Sequence, residues 1–205
     1  GGSELPAPHD RQDTQMAPHR SGRTICVFCG SSPGNDPAYA EAARELGRLI
    51  GENGYRLVFG GGNVGLMGEV ARATRAADGP VIGILPSFLR GIEPPLKSAE
   101  ELIVTPDLQQ RKARMLALSD AFVILPGGLG TLDEYFEVVT TTQLRVHAKP
   151  IIVVDVANYY APLKQLLDQV VAHGFALENI KSHHVFVSTP RDAMETIGRL
   201  LAAPA

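Results

Sequence analysis

The amino-acid sequence predicts an α/β fold, a doubly wound parallel sheet within a single domain. Two observations carry this prediction. Short apolar runs alternate with segments of helical periodicity from residue 24 onward, as in a parallel sheet that has helices on both faces. The chain has 205 residues, of which 44% are hydrophobic, and this length suffices for one buried core but leaves little room for a second.

The order of elements begins after a polar N-terminal segment. Residues 1–22 are rich in Pro, His, Asp, Gln and Arg and show no apolar period, so we predict a disordered arm there and a folded domain over residues 23–205. Strands are predicted where apolar residues run together between turn residues. Seven are expected: Thr24–Cys29, Arg56–Phe59, Pro80–Leu85, Leu102–Thr105, Ala121–Leu125, Pro150–Val154 and Val185–Val187.

Six helices are predicted where apolar residues recur at helical spacing. In the first, Asp36 suits the N-cap and Pro37 the first position, and the pattern stops near Gly54. The others are expected at about residues 64–77, 108–118, 132–144, 160–173 and 192–201. Ligands of such sheets bind beyond the carboxyl ends of the strands. The loops after Cys29, Phe59, Leu85 and Leu125 are therefore the ones expected to form a site.

Composition and charge argue against several classes of function. The net charge is −3 and the chain has no basic block, which argues against a nucleic-acid partner. No apolar run approaches the roughly 18 residues of a membrane span, and the first residues lack the basic-then-apolar order of a signal peptide. We therefore expect a cytoplasmic protein with neither a nucleic-acid nor a membrane partner.

The two cysteines, Cys26 and Cys29, have the C-x-x-C spacing of a redox dithiol. Such a pair usually opens a helix, where the dipole lowers the pKa of a thiol. Here both residues fall in the first predicted strand, so we expect two small buried core residues instead.

A first glycine-rich turn, Gly60–Gly68, follows the second predicted strand. Gly60, Gly62 and Gly65 match the dinucleotide-binding pattern, but the next strand ends without the acidic residue that would hold a ribose. We therefore reject NAD binding, and the sequence has no P-loop motif. Two interpretations stay open: the turn directs N–H groups at an anion, or it needs glycine only for its dihedral angles.

A second glycine-rich turn, Pro126–Glu134, follows the fifth predicted strand. Two such turns at one sheet edge can surround a single phosphate-bearing ligand. Thr131 and Glu134 also match a capping box, in which their side chains bind the first N–H groups of a helix. The pattern alone does not separate a capping Glu134 from a catalytic one.

A basic pair, Arg111 and Lys112, lies in the first turns of the helix predicted from Leu108. Cations are disfavoured there by up to about 1 kcal/mol. Either both side chains extend into solvent, or a nearby anion compensates. We favour the anion, because the parallel donors of arginine suit phosphate.

Five segments in the same order resemble the LONELY GUY (LOG) phosphoribohydrolases. Pro126–Glu134 resembles the family signature P-G-G-x-G-T-x-x-E, and Gln110–Met115 resembles its R-K-x-x-M segment. Cys29–Ser32, Gly60–Gly68 and Gln143–Pro150 also match. The five segments extend over most of the predicted folded part, which is too much for a chance match.

The resemblance implies a Rossmann-like fold that carries no redox cofactor, and we expect no cofactor and no metal. It implies hydrolysis of the N-glycosidic bond of nucleoside 5′-monophosphates, such as AMP or cytokinin riboside monophosphates, to free base and ribose 5-phosphate. By the same resemblance Arg111 and Glu134 are catalytic. The implied substrate-site residues are Gly61, Gly62, Lys112, Gly127, Gly128, Leu129, Gly130, Thr131, Leu132, Asp133 and Thr140.

The reaction suits these residue types. Cleavage of an N-glycosidic bond develops positive charge on the ribose, and a carboxylate at Glu134 can stabilise that charge, bind ribose hydroxyls or activate water. Arg111 can hydrogen-bond the departing base or help to hold the nucleotide. Residues 86–108 and the segment Leu108–Gln110 depart from the family pattern, so Glu93 is given no role and no base preference is predicted.

The family also implies a homo-oligomer, such as a homodimer, and apolar helix faces around Leu116 and Val138 favour one. Two other functions are considered. A lysine decarboxylase would need pyridoxal phosphate on a lysine, and none of the lysines sits in a recognisable cofactor motif. A non-catalytic nucleotide-binding module would not need a carboxylate at Glu134.

Overall fold

The computed structural model describes residues 22–92, 95–97 and 99–202. The predicted arm, except Gly22, and Glu93 lie outside the described residues. Those residues form one sheet of seven strands, and each paired strand runs parallel to its neighbour. The strands are β1 (Thr24–Phe28), β2 (Arg56–Phe59), β3 (Val81–Pro86), β4 (Glu101–Thr105), β5 (Ala121–Ile124), β6 (Ile151–Val154) and β7 (Val185–Val187).

The strand order is β4-β3-β2-β1-β5-β6-β7. The chain therefore builds the sheet outward from β1 in one direction and from β5 in the other, which confirms the predicted doubly wound α/β fold. The order reverses between β1 and β5, where Phe28 is paired with Ile124. In such sheets the crevice beyond this switch point is the usual ligand site.

Among the described residues, six α-helices cover the sheet. The Asp36 carboxylate accepts a hydrogen bond from the Ala38 N–H at 2.9 Å, which confirms the predicted cap of the first helix. No helix in the described part of the chain combines the length and the apolar character that crossing a bilayer requires. The helices are α1 (Pro37–Glu52), α2 (Gly65–Ala76), α3 (Leu108–Leu118), α4 (Leu129–Gln143), α5 (Ala161–Ala172) and α6 (Pro190–Ala202).

Each face of the sheet has its own hydrophobic core. Alternate residues of the central strand β1 enter opposite cores, with Ile25 and Val27 on the side of α1, α2 and α6, and Cys26 and Phe28 on the side of α4 and α5. All five residues of β1 are buried, as expected for a strand covered on both faces.

The start of α4 differs from the prediction by three residues. The helix begins at Leu129 rather than Leu132, with Gly128 as its N-cap, and the Leu132 N–H bonds the Gly128 carbonyl at 3.1 Å. The sequence hid this start because Gly130 has low helix propensity. Thr131 is therefore inside the helix, and the capping-box interpretation of Thr131 and Glu134 is wrong.

The apolar faces invoked for oligomerisation also differ from the prediction. Val138 is 2% exposed and belongs to the core on the α4 side, and Leu116 packs against the same core. Their apolar character is explained by packing within the subunit, so it is no evidence for an interface.

Candidate active site

A cleft of about 160 Å³ opens at the carboxyl ends of β1, β2 and β5, at the switch point of the sheet. We call it the candidate cleft. Its lining comes from both glycine-rich turns, the end of β1, α3 and the first turns of α4. The lining residues are Val27, Phe28, Cys29, Ser31, Gly60, Met67, Arg111, Gly128, Leu129, Gly130, Thr131 and Glu134.

The loop after β1 packs directly against both glycine-rich turns. The Gly30 N–H donates to the Pro126 carbonyl at 3.0 Å, and the Leu66 N–H donates to the Gly30 carbonyl at 3.0 Å. Gly65 has φ +61°, and a Cβ there would overlap the backbone of Ser31. Only glycine meets both demands at position 65, so part of the glycine content of the first turn is structural.

The N-terminus of α4 forms one wall of the cleft. Residues 128–131 all line it, and the first N–H groups of a helix have no partner within the helix. The N-cap, Gly128, has no side chain to bind them. Such a terminus attracts anions through its free N–H groups and its dipole.

Arg111 is a buried cation whose guanidinium is fixed from three sides. It is 7% exposed. Its Nε donates to the Ile84 carbonyl at 3.0 Å, and its Nη2 donates to the Gly60 carbonyl at 2.9 Å. The solvent-exposed alternative is therefore wrong for Arg111, because α3 directs the side chain beneath the first glycine turn.

Glu134 supplies the anion that compensates Arg111. Its Oε1 lies 3.6 Å from Arg111 Nη1, and the two side chains are 13% and 8% exposed, respectively. An ion pair so poorly hydrated is little screened by solvent. The pair lies in the same cleft as the helix N-terminus, so a carboxylate and an anion-binding backbone face one space.

Lys112 does not line the candidate cleft and pairs instead with two acids of α4. Its Nζ lies 3.1 Å from Asp133 and 3.6 Å from Glu137. Burial lowers the pKa of Lys112, but the hydrogen bond and charge of Asp133, with Glu137, outweigh burial and raise it. These acids compensate the second member of the basic pair, and the geometry gives Lys112 a bridging contact between α3 and α4.

The cysteines are buried on opposite faces of the sheet, Cys26 in β1 and Cys29 immediately after it. Cys26 belongs to one core and Cys29 to the other. Residues three apart in an extended strand are separated by about 10 Å, which exceeds the roughly 7 Å limit for a disulfide. Burial raises the pKa of the Cys29 thiol, and the charge of Glu134 raises it further. The prediction of two core cysteines is confirmed, although Cys29 also lines the candidate cleft as a neutral thiol.

The structure brings part of the predicted site together. Arg111, Glu134, Gly128, Leu129, Gly130 and Thr131 line the cleft. Within the described residues, the cleft lining does not include Gly61, Gly62, Lys112, Gly127, Leu132, Asp133 or Thr140.

The residues outside the cleft have other contacts or lie elsewhere on the surface. Gly61 accepts a hydrogen bond from Leu96 and Gly62 bridges to Pro95. Of these three consecutive glycines, Gly60 is the one that lines the cleft. Thr140 is exposed in the second half of α4.

Several lining residues were not predicted individually. Gly60, Ser31 and Met67 belong to segments that resemble the family, and the loops after Cys29 and Phe59 were expected at the site. The sequence did not identify Val27 and Phe28 as lining residues, because a buried strand residue is apolar whether or not a cleft lies beside it.

A pyridoxal cofactor does not fit this cleft. Pyridoxal enzymes bind the cofactor through a lysine, and of the five lysines in the described residues none lines the candidate cleft. The described residues also contain no group of three or more His, Cys, Asp or Glu side chains able to hold a metal ion.

The chain is similar to several known proteins. A family model described as "Possible lysine decarboxylase" matches residues 67–197. Cytokinin riboside 5′-monophosphate phosphoribohydrolase LOG1 of Arabidopsis thaliana is 42% identical over 178 residues, which cover 87% of this chain and 82% of that protein. The phosphoribohydrolase LOG of Oryza sativa subsp. japonica is 40% identical over 168 residues, covering 82% and 69%.

A solved structure extends the likeness to the fold. The molybdenum cofactor binding protein from the phototrophic bacterium Rippkaea orientalis superposes with a TM-score of 0.68 at 26% identity, covering 89% of this chain and 99% of that one. The level of identity to the phosphoribohydrolases, over most of both chains, confirms the resemblance found in the motifs. The chain therefore belongs to the LOG family, the family of the cytokinin riboside 5′-monophosphate phosphoribohydrolases.

Proposed function

We propose that this protein is a nucleotide N-glycosidase, which hydrolyses nucleoside 5′-monophosphates such as AMP and cytokinin riboside 5′-monophosphates to free base and ribose 5-phosphate. One observation carries the proposal. The Arg111–Glu134 ion pair and the N-terminus of α4 face the same cleft. The names of the relatives, at 40% and 42% identity, support the same activity.

The cleft offers complementary groups for the two ends of the substrate. The N–H groups of residues 128–131 suit the 5′-phosphate, because an anion there interacts with both the free N–H groups and the helix dipole. Glu134 lies one turn further along α4, where a ribose attached to that phosphate would follow. In this orientation the glycosidic carbon would lie near the carboxylate.

The reaction adds water across one bond. The C1′–N bond breaks with its electron pair leaving on the base, the water oxygen bonds to C1′, and the two water protons end on the base nitrogen and the new C1′ hydroxyl. Positive charge develops on the ribose as the bond lengthens. Glu134 can stabilise that charge or accept a proton from water, and Arg111 keeps the carboxylate in place.

The direct test is to incubate the protein with AMP and with isopentenyladenine riboside 5′-monophosphate and to separate released base by chromatography. Release of base and ribose 5-phosphate in equal amounts from the parent, with loss in Glu134→Gln, supports the proposal. Tight binding of both nucleotides without release of base would instead identify a non-catalytic nucleotide-binding module.

We further propose a homo-oligomer, such as a homodimer, in the cytoplasm. The exposed apolar side chains Leu129, Leu144 and Val146 lie at the two ends of α4 and just beyond it. Leu129 is 86% exposed and also lines the candidate cleft, so a second subunit on this surface would border the site. Light scattering that gives a monomer mass over a wide concentration range would contradict the oligomer, and cell fractionation tests the compartment.

A further inference from the structure

Two adjacent tyrosines reach the second glycine turn from the segment after β6. The Tyr160 hydroxyl donates to the Leu125 carbonyl at 2.6 Å, and the Tyr159 hydroxyl donates to the Gly127 carbonyl. Between them, the Pro126 carbonyl accepts from the Gly30 N–H at 3.0 Å. Three consecutive carbonyl groups, from the residue before the turn to Gly127, therefore each accept a hydrogen bond from another part of the chain.

This arrangement fixes the direction of the N–H groups that follow. In a trans peptide the C=O and N–H point in opposite directions, and the described residues contain no cis peptide bond. Binding of the Gly127 carbonyl by Tyr159 therefore also orients the N–H of Gly128, the N-cap of α4. A turn whose dipoles are oriented before a ligand arrives binds an anion with less reorganisation.

The two tyrosines immediately follow a segment with a strained backbone. Ala157 and Asn158 precede them with φ of 50° and 59°, in the left-handed region that residues other than glycine adopt at a cost. The buried Asp155 carboxylate holds this segment, because it accepts from the Tyr160 N–H at 2.7 Å and from Lys164 Nζ at 2.6 Å. Strain of this kind persists only where surrounding contacts enforce it and is concentrated at functional sites.

We propose that Tyr159 and Tyr160 are positioning residues that preset the second glycine turn for the phosphate group of the ligand. This proposal rests on the proposed function, which supplies the 5′-phosphate as the ligand group. Tyr160 is 2% exposed and is not part of the cleft lining, so it acts through the turn. Tyr159, by contrast, also borders an adjoining cavity of about 260 Å³, together with Tyr39. Comparing a variant of Tyr160 with a variant of Tyr159 therefore distinguishes an effect on the turn from a direct contact with the ligand.

The test compares Tyr159→Phe and Tyr160→Phe with the parent by titration calorimetry. The ligands are ribose 5-phosphate and adenosine, which has no phosphate. We expect each variant to bind ribose 5-phosphate about three- to tenfold more weakly, as for loss of one hydrogen bond, and adenosine within about twofold. With AMP as substrate, KM should rise by a similar factor while kcat changes less.

The matched control is Tyr55→Phe. Tyr55 immediately precedes β2 and so lies at the amino ends of the strands, whereas the candidate cleft lies at their carboxyl ends. Loss of its hydroxyl should therefore leave the affinities for ribose 5-phosphate and adenosine unchanged. Thermal melting of all variants accompanies the titrations. If loss of the Leu125 partner prevents Tyr160→Phe from folding, the half-exposed Tyr159→Phe decides the result.

Three results would overturn the proposal: parental affinity of the variants for ribose 5-phosphate, an equal loss of affinity for adenosine, which indicates general loosening, or no binding of ribose 5-phosphate by the parent. A parent that binds ribose 5-phosphate but releases no base from AMP refutes the proposed function alone, and the affinities of the variants still decide the role of the tyrosines.

Discussion

Replacement of Glu134 by glutamine tests whether its charge, rather than its shape, serves the reaction. The substitution is nearly isosteric and leaves Arg111 with its two carbonyl acceptors. At the 3.6 Å separation of the ion pair, and with an effective dielectric constant of about 20, the Coulomb attraction is about 5 kcal/mol. Most of this lost attraction is offset, because a neutral amide costs less to bury than a carboxylate and because the glutamine keeps a contact with Arg111.

We therefore expect a net loss of about 1–2 kcal/mol in the free energy of unfolding. For a domain of this size, that loss lowers Tm by about 2–8 °C. Turnover should fall much further, by at least about a hundredfold, because a charge that meets the developing positive charge of the ribose is removed. The two effects are measured separately, by calorimetric melting and by chromatography of base released from AMP.

Glu137→Gln is the matched control on the same helix. Glu137 also faces a cation, Lys112, at the same 3.6 Å, but its side chain is 44% exposed and it does not line the cleft. Exposed ion pairs contribute little, so this variant should melt within about 2 °C of the parent and keep its turnover. Parental turnover in Glu134→Gln would remove Glu134 from the mechanism and refute the reasoning.

Three further predictions follow, two from the candidate cleft and one from a buried histidine outside it. Arg111→Lys should lose about 2 kcal/mol of unfolding free energy in urea titration, and turnover should drop at least about tenfold, because an ammonium cannot bind two carbonyls and a carboxylate as the planar fork does. AMP should exceed adenosine in kcat/KM by at least about a hundredfold, since the phosphate receives charge-assisted hydrogen bonds; equal values would exclude a phosphate subsite. Burial, with the neighbouring His183 charge, lowers the pKa of His184 from 6.5 to about 4. The unfolded state therefore binds an extra proton between these values, and stability should fall by up to about 3 kcal/mol as pH drops from 6.5 to 4. His184→Phe should weaken this pH dependence of Tm, whereas a variant of the exposed His173 should retain it.

The fold could be predicted because each element has a local signal. Buried strands appear as apolar runs, and the cap at Asp36 was visible from its own side chain and Pro37. The start of α4 was missed because glycine is typical of loops, yet Gly130 is an exposed residue in the first turn of the helix. That error mattered, since it kept a capping role open for Glu134.

The site was predictable in its segments but not in its pairings. The positions of Arg111 and Lys112 at a helix start indicated compensating anions, and the structure supplies them from α4. The sequence favoured a ligand phosphate instead, because residues 111 and 134 are far apart in the chain and their approach depends on how α3 and α4 pack. Tyr159 and Tyr160 carried no signal, because a tyrosine beside a helix start is ordinary.

The anchoring of Arg111 has a consequence for how the protein acquires activity. Its two carbonyl partners lie 27 and 51 positions away along the chain, and its carboxylate partner comes from yet another helix. Helical hydrogen bonds join positions only four apart, whereas these contacts require loop closure over tens of residues, which is slower. In refolding from urea, the far-UV circular dichroism signal should therefore recover before catalysis does, and turnover would serve as a stringent gauge of the completed native packing.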